Sequence, residues 1–94
     1  MAAYIVARID VTNPDDYVKY SSQTVELAAK YGGKFLAKGG PHEYFEGDGP
    51  SRIVIVEFED ADAARRWYHS AEYQAIAPIR RANSTGDFAL VEGV

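Results

Sequence analysis

The stretch Arg52-Ile53-Val54-Ile55-Val56-Glu57-Phe58 constrains this chain more than any other. It is rich in β-branched residues, and its isoleucines and valines fall on both sides of an alternating strand. A strand of that kind belongs in the middle of a sheet and needs apolar cover above and below. A chain of 94 residues has room for one domain and one core. Helices from the same chain can cover one side of the sheet, so the other side asks for a second source of cover.

The remaining periodicity supplies the partners of that strand. Tyr4 to Val11 reads as a strand with Ile5, Ala7, Ile9 and Val11 on one face and Tyr4, Val6, Arg8 and Asp10 on the other. Asn13 is then an N-cap, Pro14 takes the first helical position, and Asp15 and Asp16 complement the positive helix end. Tyr17, Tyr20, Thr24, Leu27, Ala28 and Tyr31 recur at helical spacing as a buried stripe, and Gly32-Gly33 ends the helix. Lys34 to Lys38 and His42 to Glu46 read as two extended pieces around Gly39-Gly40-Pro41, either one bulged edge strand or two strands with a break. Gly47 to Pro50 is a turn, which makes a hairpin with the Arg52–Phe58 strand the natural connection. Asp60 caps a second helix carrying Ala64, Trp67 and Tyr68, and Ser70 caps a third carrying Tyr73, Ile76 and Ile79. Pro78 is expected to kink or shorten that third helix, and Gly86 to close it off before a last strand from Asp87 to Val91.

The order is β-α-β-β-α-β with an additional short helix before the final strand. It predicts an α+β, ferredoxin-like fold: a four-stranded antiparallel sheet, helices on one face, the first and third strands in the middle. The uncovered face spans about 400 Å² before side-chain relief; the third strand puts isoleucine or valine on both faces, and the first places Tyr4 and Val6 opposite its helix-side residues. A patch of that size is as much as a monomer ordinarily leaves open, and packing on a two-fold copy is the economical way to bury it.

Charge and composition remove several function classes. A net charge of −4 and a pI near 5.0 argue against a nucleic-acid partner. The absence of cysteine leaves no disulfide framework and no thiolate nucleophile or ligand. No apolar run reaches the length needed to span a bilayer, and Met1-Ala2-Ala3-Tyr4 lacks a signal-peptide pattern, so the expected setting is the cytoplasm. His42 and His69 have no second ligand at suitable spacing, so no metal site is expected, and no motif calls for a cofactor. The expected partners are a second copy of the chain and a small organic ligand.

Candidate site residues are polar groups that the fold brings toward a cavity. Arg8 is a charge in mid-strand that needs a partner, for which Glu57 is the natural choice. The pair is either structural, fixing the register of a dimer, or a ligand-binding arginine with a proton acceptor beside it. Arg8, His42 and Glu57 together make a polar trio for an otherwise apolar pocket. Tyr4, Tyr44, Tyr68 and Tyr73 are less committed to the core than Tyr17, Tyr20 and Tyr31, and can present a hydroxyl to that pocket. Trp67 is read as packing, and Ser70 beside His69 as a cap rather than a nucleophile.

The phrases Ala3 to Pro14, Tyr31-Gly32-Gly33-Lys34-Phe35-Leu36, Gly39-Gly40-Pro41, Glu46-Gly47-Asp48, Ile55-Val56-Glu57-Phe58, Trp67 to Arg80 and Gly86-Asp87 run nearly end to end. They resemble a small family catalogued as a domain of unknown function, the 1330 family. The resemblance implies membership of the dimeric α/β-barrel superfamily, with two ferredoxin-like sheets closing around a shared cavity. Relatives in that superfamily include small monooxygenases, muconolactone isomerases and haem-handling enzymes, so it implies no single reaction. Arg80 matches the arginine that ends the family's Ser-x-x-Tyr stretch, and it either neutralises its helix end or reaches the ligand mouth. Two function classes follow. One is a small-molecule site doing proton-transfer or cofactor-free oxygenase- or isomerase-type chemistry; the other is a non-enzymatic dimer binding a metabolite or a protein. A filled interior between sheet and helices would weigh against the first.

Overall fold

A computed structural model describes all 94 residues. The elements are β1 (Ala3–Val11), α1 (Pro14–Lys30), β2 (Lys34–Lys38), β3 (Arg52–Phe58), α2 (Ala61–His69), α3 (Ala71–Ala82) and β4 (Ser84–Glu92). The sheet order is β2-β3-β1-β4, antiparallel throughout, so the strands made of Ile and Val on both faces are the central ones. This is the α+β, ferredoxin-like arrangement that the element order implies.

Local chemistry accounts for the helix boundaries. The Asn13 Oδ1 accepts from the Asp16 amide at 3.3 Å, and Gly32 leaves α1 at a φ of 82°, a conformation that suits glycine. Asp60 caps α2 by accepting from the Ala63 amide at 2.8 Å. Ser70 serves two helices at once: its hydroxyl donates to the Trp67 carbonyl at 2.8 Å and accepts from the Tyr73 amide at 3.1 Å. One side chain therefore sets the angle at which α2 hands over to α3.

The helices cover one face. Ile5, Ala7 and Ile9 of β1 and Val54, Val56 and Phe58 of β3 meet Tyr17, Tyr20, Ala28, Trp67, Tyr73 and Ile76 in one continuous core. On the opposite face Tyr4, Val6, Ile53 and Ile55 are only half-buried, while Leu36 and Val91 stay 50% and 51% exposed. The smallest dimension, 17 Å, is that of one sheet and one helical layer.

Three details depart from the pattern read in the sequence. His42 to Glu46 forms no strand: β2 ends at Lys38, and residues 39–51 are a loop held by local bonds, including one from the Tyr44 hydroxyl to the Pro50 carbonyl at 2.9 Å. The bulge lies earlier, between Phe35 and Ala37. Gly86 lies inside β4 rather than before it. It sits opposite Ile9 at a φ of 140°, and a Cβ there would come within 2.0 Å of the Arg8 carbonyl. Pro78 does not shorten α3, which continues to Ala82; the proline stands on the exposed side, where water can satisfy the carbonyl it frees. No helix is long and apolar enough to cross a membrane.

Candidate functional site

The candidate residues fall into three groups, of which the loop group borders the open face. Tyr4, Arg8 and Glu57 lie on the open face of the sheet; His42 and Tyr44 lie in the 39–51 loop; Tyr68, Tyr73 and Arg80 lie on the helical side. The trio Arg8, His42 and Glu57 is not assembled into one pocket. Antiparallel register is the reason: Arg8 pairs across to Ile53, whereas Glu57 pairs with Tyr4, four residues further along β1 and therefore about 13 Å away along the strand. Arg8 instead meets Asp87 on β4, its direct cross-strand neighbour, with Nη2 and Nε donating at 3.0 and 3.3 Å. The arginine holds the Asp87 carboxyl below its usual range, and both groups remain open to solvent. His42 hydrogen-bonds the Gly40 carbonyl and stands edge-on to Tyr44, 5.5 Å between centroids. These contacts shape the loop, and His42 lines a groove on the open face together with Ile53, the cross-strand partner of Arg8, and Ile55.

The helical side is different. Ser70 brings Trp67 and Tyr73 together with their ring centroids 4.3 Å apart. Tyr68 and Phe88 close around them, 5.4 and 6.3 Å from the Tyr73 ring. The Tyr73 hydroxyl meets that of Tyr20 at 2.6 Å, a bond between α1 and α3 across 53 residues of sequence. Arg80, one turn of α3 beyond Ile76, lays its guanidinium over the Phe88 ring at 4.4 Å and over Tyr20 at 5.9 Å.

Three hydrogen-bond donors in this cluster are unspent. The Trp67 Nε1 and Arg80 Nε atoms are buried with no partner. Of the two tyrosine hydroxyls, one donates to the other, which leaves the second proton without a protein acceptor. Burial pushes the pKa of both phenols up; Arg80 pulls the other way without overcoming it. Both phenols are therefore neutral donors at physiological pH and not bases. Buried donors ordinarily find acceptors, and these have room beside them for an oxygen, of a water or of a ligand, from outside the chain.

The space around the cluster is divided. Between the sheet and α1 runs an apolar slot of about 20 Å³, room for about one water, lined by Trp67, Tyr20 and Phe88 among others. A crevice of about 250 Å³ lies between α2 and β4, walled by Ile5, Tyr68, His69, Phe88 and Leu90. A second of about 150 Å³ holds Arg80, Arg81, Ser84 and Asp87 at the other end of β4. The interior itself is thus nearly filled, and the open volume flanks it. No group of three His, Asp or Glu side chains converges anywhere in the chain.

Sequence reasoning placed Tyr68, Tyr73 and Arg80 among the candidates but set Tyr20 and Trp67 aside as packing, weighed His69 only as a metal ligand or a base beside Ser70 and rejected both, and did not consider Phe88. Tyr20 and Trp67 are indeed buried, at 5% and 1% exposure. What the sequence could not reveal is that their polar atoms end in the same cluster. His69, stacked edge-on to Tyr68 at 5.2 Å, is the one imidazole at the mouth of the larger crevice.

Comparison with known proteins supports the fold. The family model of a domain of unknown function (DUF1330) matches residues 2–94. SnoaB, a cofactor-independent oxygenase from Streptomyces nogalater, superposes with a TM-score of 0.72 at 22% identity over 99% of this chain and 93% of its own. The protein RPA0582 from Rhodopseudomonas palustris, of unknown function, gives 0.78 at 14% identity over 99% and 82%. A conserved protein from Methanosarcina mazei Go1 gives 0.60 at 14% identity over 100% and 94%. A search among curated proteins finds no match for the sequence.

Proposed function

The chain belongs to the DUF1330 family, whose name assigns no activity, and from that premise we propose that it is a homodimeric small-molecule-binding protein. Its ligand is a flat, largely apolar molecule bearing one negative charge or a readily formed enolate or phenolate. The observation that carries this reading is the set of unspent donors, Trp67 Nε1, Arg80 Nε and one hydroxyl of the Tyr20–Tyr73 pair, inside a wall of aromatic rings. Arg80 supplies the positive charge, Tyr73 and Trp67 donate to the ligand oxygen, and the rings of Tyr68 and Phe88 hold its apolar body. Donors of this kind stabilise an anion but take no proton. His69, at the mouth of the crevice beside Tyr68, is the acceptor this reading requires. Stabilising a substrate carbanion in a dry aromatic site is the contribution a protein makes to cofactor-free oxygenation or isomerisation. The fold shared with SnoaB is compatible with that chemistry.

Assembly uses the other face. Leu36, Pro41, Ile53 and Ile55 line an open groove of about 560 Å³ on the uncovered side of the sheet, continuous with Val6 and Tyr4 in the register. A second copy related by a two-fold axis covers it. Sedimentation velocity tests this part: Ile55→Asp is expected to yield a folded monomer where the parent chain is a dimer.

The site is tested by titrating 1-naphthoate against the emission of Trp67, the single tryptophan. Arg80→Gln is expected to weaken binding by about tenfold or more, the loss of one charge-assisted contact. His69→Gln is expected to leave that affinity unchanged and to slow only turnover. Unchanged naphthoate affinity in Arg80→Gln would refute the assignment.

The alternative is a dimer that binds a metabolite or a protein without chemistry. The nearly filled slot of about 20 Å³ favours it, because an enzyme of this kind needs its substrate beside Trp67.

A further inference from the structure

Phe88 stands where three cavities meet. It lines the interior slot of about 20 Å³ with Trp67, the crevice of about 250 Å³ with Tyr68 and His69, and the crevice of about 150 Å³ with Arg80 and Arg81. No other residue lines all three. Small-molecule sites run from about 300 Å³ upward. Each of these cavities falls short of that on its own, and joined they pass it.

The Phe88 ring fills the middle of the aromatic cluster. It lies 6.2 Å from Trp67, 5.9 Å from Tyr68 and 6.3 Å from Tyr73, with the Arg80 guanidinium 4.4 Å from its centroid. It thus occupies the place that the donors and the cation are arranged to serve, yet as a hydrocarbon it accepts nothing from them. The residue is only half-buried, and β4 is an edge strand whose sole neighbour is β1. Rotation of this side chain about its first torsion carries the ring away from the cluster and leaves the β1–β4 ladder intact.

We propose that Phe88 is the partition that sets the size of ligand the site accepts: with its ring swung aside, the three cavities become one, and a ligand held at Arg80 reaches Trp67. The inference rests on the aromatic cluster being the ligand site. It accounts for an interior that is nearly filled around donors that remain unspent. It also makes Phe88, rather than any polar group, the residue that determines specificity.

The test compares benzoate and 1-naphthoate on the parent chain, Phe88→Ala, Phe88→Leu and Phe88→Trp, read by Trp67 emission or, for Phe88→Trp, which adds a second indole, by titration calorimetry. The ratio of the two affinities is the quantity of interest, since it does not depend on the fraction of protein folded. Phe88→Ala is expected to shift that ratio by about tenfold or more toward the two-ring acid, within the range by which pocket volume discriminates ligands. Phe88→Leu should shift it in the same direction by less, and Phe88→Trp in the opposite direction. Should Phe88→Ala fold poorly, Phe88→Leu, which keeps apolar bulk, carries the same test. An unchanged ratio in both variants, with binding of both acids still dependent on Arg80, would overturn the partition and leave the site standing. No response to either acid in the parent chain or any variant would overturn the site reading and the partition with it.

Discussion

Arg8 and Arg80 lie on opposite sides of one sheet and are handled in opposite ways. Arg8, on the open face, spends Nε and Nη2 on Asp87 and is otherwise in water. Arg80, on the helical side, lies against Phe88 and Tyr20 with its Nε buried and unpaired. Water or a carboxylate satisfies the first; the second faces aromatic rings and phenols, and its Nε has no partner. The same contrast holds for the faces as wholes. The open face joins the exposed Arg8–Asp87 pair to half-buried Val6, Ile53 and Ile55. The helical side is closed and aromatic, with its donors left over. Of these two arginines, the one with a buried, unpaired Nε is the better marker of a site, because an unpaired buried donor costs free energy that packing alone does not recover.

Substitutions on the two sides sharpen this contrast. Trp67→Ala should have the largest effect, about 3–5 kcal/mol of stability lost from a fully buried aromatic, measured by urea unfolding. A loss below about 1 kcal/mol would mean that the helical side is not the organising core. Gly86→Ala forces a Cβ against the Arg8 carbonyl and should cost about 1–3 kcal/mol. Amide exchange should show the loss concentrated in β4, the strand that carries both Phe88 and Asp87. Ser70→Ala removes the hydroxyl joining the Trp67 carbonyl to the Tyr73 amide and should cost about 1 kcal/mol. Its diagnostic is the near-ultraviolet circular dichroism of the Trp67–Tyr73 pair, which should change more than the far-ultraviolet signal does.

Arg8→Gln should have the smallest effect, with thermal unfolding at pH 7 close to that of the parent chain, since the pair is exposed. Its pH dependence has a definite sign. The Asp87 pKa is depressed in the folded state, chiefly by its hydrogen bond with Arg8. Whatever the pair contributes is therefore present above the unfolded carboxylate value of about 4 and lost as the pH falls through the lower folded value. The difference between parent and Arg8→Gln should shrink on acidification below about pH 4, and a difference that grows there would contradict the pairing.

How far the sequence disclosed these features depended on whether the governing interactions are local. The start of α1 was readable because Asn13, Pro14, Asp15 and Asp16 act within one turn, and its end because Gly32 needs only its own φ. The run of isoleucine and valine from Ile53 to Val56 implied an apolar uncovered face without any knowledge of neighbours, though not which of its residues lie there. The partner of Arg8 was not readable, because alternation assigns a face but not a register. Glu57 shares that face and still lies opposite Tyr4. Asp87 was hidden by Gly86, which looks like a strand boundary and is instead a strand residue under a close backbone approach. His42 to Glu46 failed as a strand because local bonds from His42 and Tyr44 to loop carbonyls replace a ladder. Tyr68, Tyr73 and Arg80 stood out as polar groups on helices, but the Tyr20–Tyr73 bond depends on how α1 and α3 cross, which no local pattern encodes.

The most direct test is a proton–nitrogen correlation spectrum of the labelled protein, in which the single tryptophan gives one indole resonance, titrated with 1-naphthoate. The Trp67 Nε1–H signal should move downfield as its unspent proton finds an oxygen, while the backbone signals of Tyr4, Arg8 and Glu57 on the far face stay in place. A stationary indole signal with shifts confined to those open-face residues would put the ligand on the opposite side of the sheet.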